Sequence, residues 1–432
     1  MKRNRLTAVA GLVATLLTLT ACGSGSSGSS AATGQRSGGS TGDGNLEVFS
    51  WWTSGSEDAA LKDLTTAFSS ANPKVKIVNG AVAGGGGGNA QQILQTRIQG
   101  GNPPDTWQTH LGKALGQYLD ARTLADATAV YDKNGLRDVM PKALIDSMSA
   151  NGKIYAVATG AHRGNVLWYS LPALKKAGVT PPAAGYTLDQ FVSDLAKVKA
   201  SGQIGLCLGG KDAFAPAELF ENTLLGTVGP DGWAQLTGGQ KQWTDPSVVK
   251  AADYLGAMLA DVDPEASALT WDQAAKKLAA GTCAFNSMGD WAYGEMVKAG
   301  AKEGTDFGYV AHPGNTGSFM AVVDAFVVAD NGKNKSAGLD FLATIGQKDV
   351  QLAFNKDKGS TPVRTDVDTS SLPPYQQAAA TSWKSDKLVN TIVHGAAMSP
   401  QFVQAFYEGV TQFIQAKNSA AFAKALQAAA GS

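Results

Sequence analysis

The sequence predicts an α/β protein built as two lobes. A strand–helix–strand unit opens the folded part, and strand and helix patterns keep alternating to the end of the chain. The stretch from Leu46 to Ser432 is also too long for one small core and suits two.

The elements follow in order. Leu46-Glu47-Val48-Phe49-Ser50-Trp51 reads as a strand, with Leu46, Val48 and Ser50 on one face. From Glu57 the period becomes helical, with Leu61, Leu64 and Phe68 on one side, and Asn72-Pro73 ends that helix. Val75-Lys76-Ile77-Val78 is the next strand, so a βαβ unit with a parallel sheet is expected. The glycine run Gly84 to Gly88 lacks the Lys-Ser or Lys-Thr of a phosphate loop and reads as a turn before a helix carrying Ile93, Leu94, Arg97 and Ile98. A short strand reaches Gln108 after Pro103-Pro104. Ile154 to Val157 and Asn165 to Tyr169 read as paired strands flanking His162-Arg163. Leu188, Phe191, Leu195 and Val198 mark an amphipathic helix. Ile204 to Leu208, Thr282 to Asn286 and Met320 to Ala329 are strand candidates, and Val403, Phe406, Val410 and Phe413 mark a helix near the end.

The first residues have another character. Lys2, Arg3 and Arg5 precede an apolar run from Leu6 to Leu19 that is too short to span a bilayer, so 1–21 reads as a signal peptide. It exits through Leu19-Thr20-Ala21-Cys22, which resembles the bacterial lipobox; that resemblance implies lipidation of Cys22 and a chain anchored outside the cytoplasmic membrane. Residues 22–45 are Gly-, Ser-, Ala- and Thr-rich and form a flexible tether. Formal net charge is zero, with no basic block in the mature part, which argues against nucleic acid and anionic lipid as partners. Cys207 and Cys283 sit in short apolar runs, and an oxidising compartment favours a disulfide between them. No CxxC or His/Cys cluster suggests a metal, and no cofactor site is evident.

Nine tryptophans are many for one chain, and their positions matter. Trp51 and Trp52 close the first strand, where neighbours face opposite ways, so one of them is expected at a cleft. Trp271 and Trp291 lie in the other half; a Trp face suits the C–H face of a pyranose, although core packing serves any one Trp equally well. Gln108 and His110 are two apart on a strand and can face one side, each able to donate and accept hydrogen bonds; bonding to nearby backbone is the simpler alternative. Asp324 interrupts an apolar strand, where a carboxylate needs a partner. Lys358 and His394 each precede a Gly in a loop. No GxSxG elbow is present, and Asp290 and Asp324 are read as structural or binding carboxylates before a glycosidase pair.

Taken together, these residues resemble the solute-binding proteins of ABC sugar importers, the glucose/mannose-binding members above all. The segments that carry the resemblance are Leu46 to Trp52, Pro103 to His110, Met288-Gly289-Asp290-Trp291, Phe354 to Ser360 and Val393 to Ala396. The resemblance implies a periplasmic-binding-protein-like fold, with a hinge, a central cleft, an N-terminal lobe over 46–158 and 318–361, and a C-terminal lobe over 159–317 and 362–432. It implies that Trp51 or Trp52 and Trp271 stack on a sugar ring, while Glu57, Gln108, His110, Trp291, Asp324, Lys358 and His394 hydrogen-bond hydroxyls and Asp290 supports the Trp291 loop. A monomeric receptor without enzymatic activity is expected, capturing a monosaccharide for importer membrane subunits. A surface enzyme acting on sugars and an oligosaccharide receptor of the same fold stay open.

Overall fold

The computed structural model describes residues 44–431. Cys22, the predicted signal segment and nearly all of the predicted tether lie outside the described residues. The strands are β1 (Asn45–Phe49), β2 (Lys76–Asn79), β3 (Thr106–His110), the short pair β4 (Ser149–Ala150) and β5 (Lys153–Ile154), β6 (Ala156–Arg163), β7 (Val166–Ser170), β8 (Ile204–Leu206), β9 (Cys283–Ser287), β10 (Phe307–Ala311), β11 (Ser318–Val328) and β12 (Lys387–Asn390).

The opening unit forms as its pattern dictates. Helix Gly55–Ala71 buries Leu61, Leu64 and Phe68, and β1 pairs in parallel with both β2 and β3. β3 then runs antiparallel to β11. β11 is long and wholly buried, and it is the axis of this sheet. One of its edges is shared: β12 pairs along Ser318 to Ala321 and β3 along Asp324 to Val328. β6 takes the other edge. A second sheet has the order β10-β7-β9-β8.

Each sheet has its own core. Leu46, Phe68, Trp107, Phe326 and Phe341 belong to one; Trp168, Phe191, Phe220, Phe285 and Phe406 belong to the other. β11 enters both, with Val323 and Phe326 in the first and Met320 and Val322 in the second. The chain therefore folds as two α/β lobes joined by strands that cross between them.

One expected pairing is corrected here. β6 and β7 follow each other like a hairpin, yet they belong to different sheets: β6 pairs with β11, and β7 with β9 and β10. Gly164 donates its N–H to Met320 O, and Asn165 bonds Ser318 and Met320, so the would-be turn is a crossing from one lobe to the other. Local spacing cannot tell a turn from such a crossing.

Cys207 and Cys283 are bridged, with Cα atoms 5.8 Å apart. β8 and β9 are parallel neighbours, and Cys207 N–H bonds Phe285 O just beyond the end of β8.

Candidate functional site

Strand ends and helix starts from both lobes converge on one narrow cavity. Trp51 and Trp52 follow β1, His110 ends β3, and Asp324 and Val322 project from β11. Glu57 lies in the first turn of helix Gly55–Ala71, and Lys358 closes helix Lys348–Lys358. Phe214, Trp271 and Trp291 are each the first residue of a helix, and His394 sits in the loop after β12. Trp271 is aimed from a capped helix start, where Gln273 accepts the Thr270 N–H at 2.9 Å.

The cavity and its open mouth hold about 340 Å³ of empty space, yet a water-sized sphere can be centred in only about 20 Å³ of it. It is narrow, and its walls are rings. Trp51 leans on His110, with centroids 5.0 Å apart. Trp291 meets His394 at 5.2 Å and Phe214 at 6.1 Å. Both Trp51 and Trp52 are buried, which corrects the expectation of one exposed member. Strand alternation lapses because β1 ends at Phe49, and both rings reach the same cavity.

Charges are set between the rings. Lys358 Nζ lies 2.9 Å from Glu57 Oε1 and 5.4 Å from the Trp52 ring centre. Burial raises the Glu57 pKa despite Lys358 beside it. Asp324 is buried and would resist ionisation for that reason, but His110 and His162, each with a ring nitrogen 3.3 Å from it, hold its carboxyl well below the usual range. Its Oδ1 accepts Gln108 Nε2 at 2.8 Å. Burial, then repulsion from His110, pushes His394 well below the ordinary histidine value, so it stays neutral. His110 Nδ1 is buried and has no protein partner. Such a cavity offers flat apolar faces, anionic acceptors, a cation and neutral donors within reach of one small polyhydroxylated ring.

A larger groove, with room for water-sized spheres over about 570 Å³, is lined by apolar groups such as Leu144, Val363 and Trp383. It lacks the converging buried charges, so the smaller cavity is the better candidate.

Comparison with known proteins sets this architecture in a family. Residues 52–352 match the family model of the bacterial extracellular solute-binding proteins. The chain belongs to that family. This solute-binding protein is 32% identical over 376 residues to a probable sugar-binding periplasmic protein of Mesorhizobium japonicum, covering 85% of this chain and 88% of that one. It is 28% identical over 373 residues to the xylose/arabinose-binding protein XacG of Haloferax volcanii, covering 84% and 80% of the two chains. Among solved structures it resembles the bacterial solute receptor AcbH, described as exclusive for β-D-galactopyranose, with TM-score 0.77 and 19% identity over 90% of this chain and 98% of that one.

The predicted site residues of this solute-binding protein fall into two groups. Trp51, Trp52, Glu57, His110, Trp271, Trp291, Asp324, Lys358 and His394 all line the cavity. Gln108 does not; it stands behind the wall, bonding Asp324 and accepting the Trp51 N–H at 3.3 Å. Phe214, Val322, Gly84 and Gly86 line the cavity and were not anticipated. A Phe opening an apolar helix carries no signal of its own. His162 was read only as part of a turn, yet it is buried between Asp290 and Asp324.

Proposed function

We propose that this solute-binding protein is the receptor component of an ABC sugar importer and captures a monosaccharide, glucose or a close relative, outside the membrane. The observation that carries this reading is the cavity wall: four Trp residues from both lobes surround the Glu57–Lys358 pair, Asp324, His110 and His394. Trp51 or Trp52, together with Trp271, stacks on the ring, and the charged groups together with Trp291 bind its hydroxyls. Gln108 acts through Asp324. Charged partners give stronger bonds to hydroxyls than neutral ones and satisfy them once water is gone. The names of XacG and AcbH, each tied to monosaccharides, support the ligand class. Residues from both lobes reach the ligand, so sugar favours the closed arrangement about the crossing strands. The receptor works as a monomer without enzymatic activity, held to the membrane through Cys22 and serving importer membrane subunits.

Titration calorimetry with single sugars and an oligosaccharide tests the pocket. Trp271→Ala and Asp324→Ala should each cost about 2 kcal/mol or more of monosaccharide affinity. Trp383→Ala, whose ring packs on Phe319 away from the cavity, should leave it unchanged. Near-wild-type affinity in both site variants, with unchanged circular dichroism, would sink the proposed site. Binding of the oligosaccharide alone would refute the single-ring reading, and release of a chromogenic aglycone would favour an enzyme. For the anchor, Cys22→Ser should shift the protein out of the membrane fraction; full retention of a normally processed variant would count against lipidation.

A further inference from the structure

His162 lies on β6, at the crossing between the lobes, and its ring is almost wholly buried. Nδ1 contacts Asp290 Oδ1, and Nε2 faces Asp324 Oδ2 at 3.3 Å. Asp290 comes from the turn between β9 and helix Trp291–Lys298, and Asp324 from β11. Each carboxylate is held on its other oxygen as well: Asp290 Oδ2 accepts the Arg163 N–H at 2.9 Å, and Asp324 Oδ1 accepts Gln108 Nε2. A neutral imidazole has one donor and one acceptor; with Nδ1–H given to Asp290, its Nε2 would leave a lone pair 3.3 Å from the Asp324 carboxylate. Only the imidazolium is attracted to both carboxylates, through a hydrogen bond to Asp290 and a charge contact to Asp324 that falls outside hydrogen-bond geometry.

We propose that His162 is a positioning residue kept as an imidazolium, which bridges Asp290 and Asp324 across the lobe junction and fixes the carboxylate that receives the sugar. This rests on Asp324 being a sugar contact. The surroundings of the ring agree. Burial and the nearby Lys358 oppose the charge, yet Asp290 and Asp324 outweigh them and raise the His162 pKa above 6.5. Trp291 packs edge-on against the ring at 5.4 Å, and His394, near enough to feel its charge, is held neutral. Beyond the two carboxylates stand Tyr375 and Glu218 near Asp290, and His110 beside Asp324. The sign follows: the bridge is complete at low and neutral pH and is lost as pH rises through the raised His162 value, after which Asp324 is less firmly held.

The test reads the ring and the sugar separately. With four histidines in the chain, His162→Gln assigns the ring signals in nitrogen-15 NMR. Both ring nitrogens of the unliganded wild type should be in the imidazolium range at neutral pH, and Asp290→Asn should lower the pH at which the ring loses its proton. In calorimetry from about pH 5 to about pH 9, monosaccharide affinity should fall along the same titration. His162→Gln should bind roughly tenfold more weakly and lose that alkaline fall. A neutral ring at neutral pH, affinity that ignores its titration, or wild-type affinity in His162→Gln would overturn the proposal. If the wild type bound no monosaccharide, the sugar reading would fail, and the ring signals would still decide whether the bridge is ionic.

Discussion

At the scale of residues, the cavity depends on what is absent from side chains as well as on what is present. Gly87 has φ +81°, and a Cβ there would come within 2.8 Å of the Trp51 ring. Gly86, with φ +59°, would press on Phe214 in the same way. Gly87→Ala should therefore cost about 1–2 kcal/mol of stability for the left-handed backbone, and it should weaken sugar binding by tilting Trp51. Gly88→Ala, next in the chain with nothing within 4 Å of a new Cβ, is the control. Thermal melts and calorimetry on the pair would show the difference, and equal behaviour would refute this role for the turn. The glycine run was legible in the sequence as a turn before a helix. Its contact with Trp51 was not, because nothing local records which ring will lie against it. Asp324 was legible for the opposite reason, since a carboxylate inside an apolar strand demands a partner wherever it falls.

Among elements, helix Phe214–Thr237 does more than open with a wall residue. Glu218 and Glu221 are three apart and share a face. Glu218 accepts the Gly289 N–H at 3.1 Å, beside the start of the Trp291 helix. Glu221 accepts the Ile392 and Val393 N–H groups and the Thr391 hydroxyl, in the loop that carries His394. Burial pushes Glu221 up to about 7 against those bonds. In the unfolded chain it ionises near 4.5, so the folded state binds the extra proton between these values. Its contribution to stability is full below about 4.5 and is lost as pH rises through about 7. Glu221→Gln should flatten that fall in melting temperature; an identical pH profile for variant and wild type would refute it. Periodicity made most elements readable, including the helix Leu188–Ala200 and the strand β11. The exception was the chain around His162, where a crossing between sheets imitates a hairpin, and the same error hid the residue lodged between two carboxylates.

For the molecule as a whole, two cores with shared strands allow one lobe to be stapled without tying it to the other. The Cys207–Cys283 bridge lies within one lobe, joining β9 to the residue just after β8, and closes a loop of sequence separation 76. Replacing both cysteines by Ala should lower unfolding stability by about 2–4 kcal/mol while leaving sugar affinity nearly intact, because neither residue lines the cavity. Denaturant unfolding, with intact mass before and after reduction, checks both points; an unreduced mass equal to the reduced one would refute the bridge. The rings around the cavity have an optical consequence. Four of the nine indoles line the candidate cavity; of the others, Trp107, Trp168, Trp233 and Trp243 are buried elsewhere and Trp383 is partly buried. Under the proposed function, capture of a sugar changes the surroundings of those four indoles and leaves the others in place. The unlabelled protein is its own emission reporter, and the wavelength and intensity of that light can be followed during capture in real time.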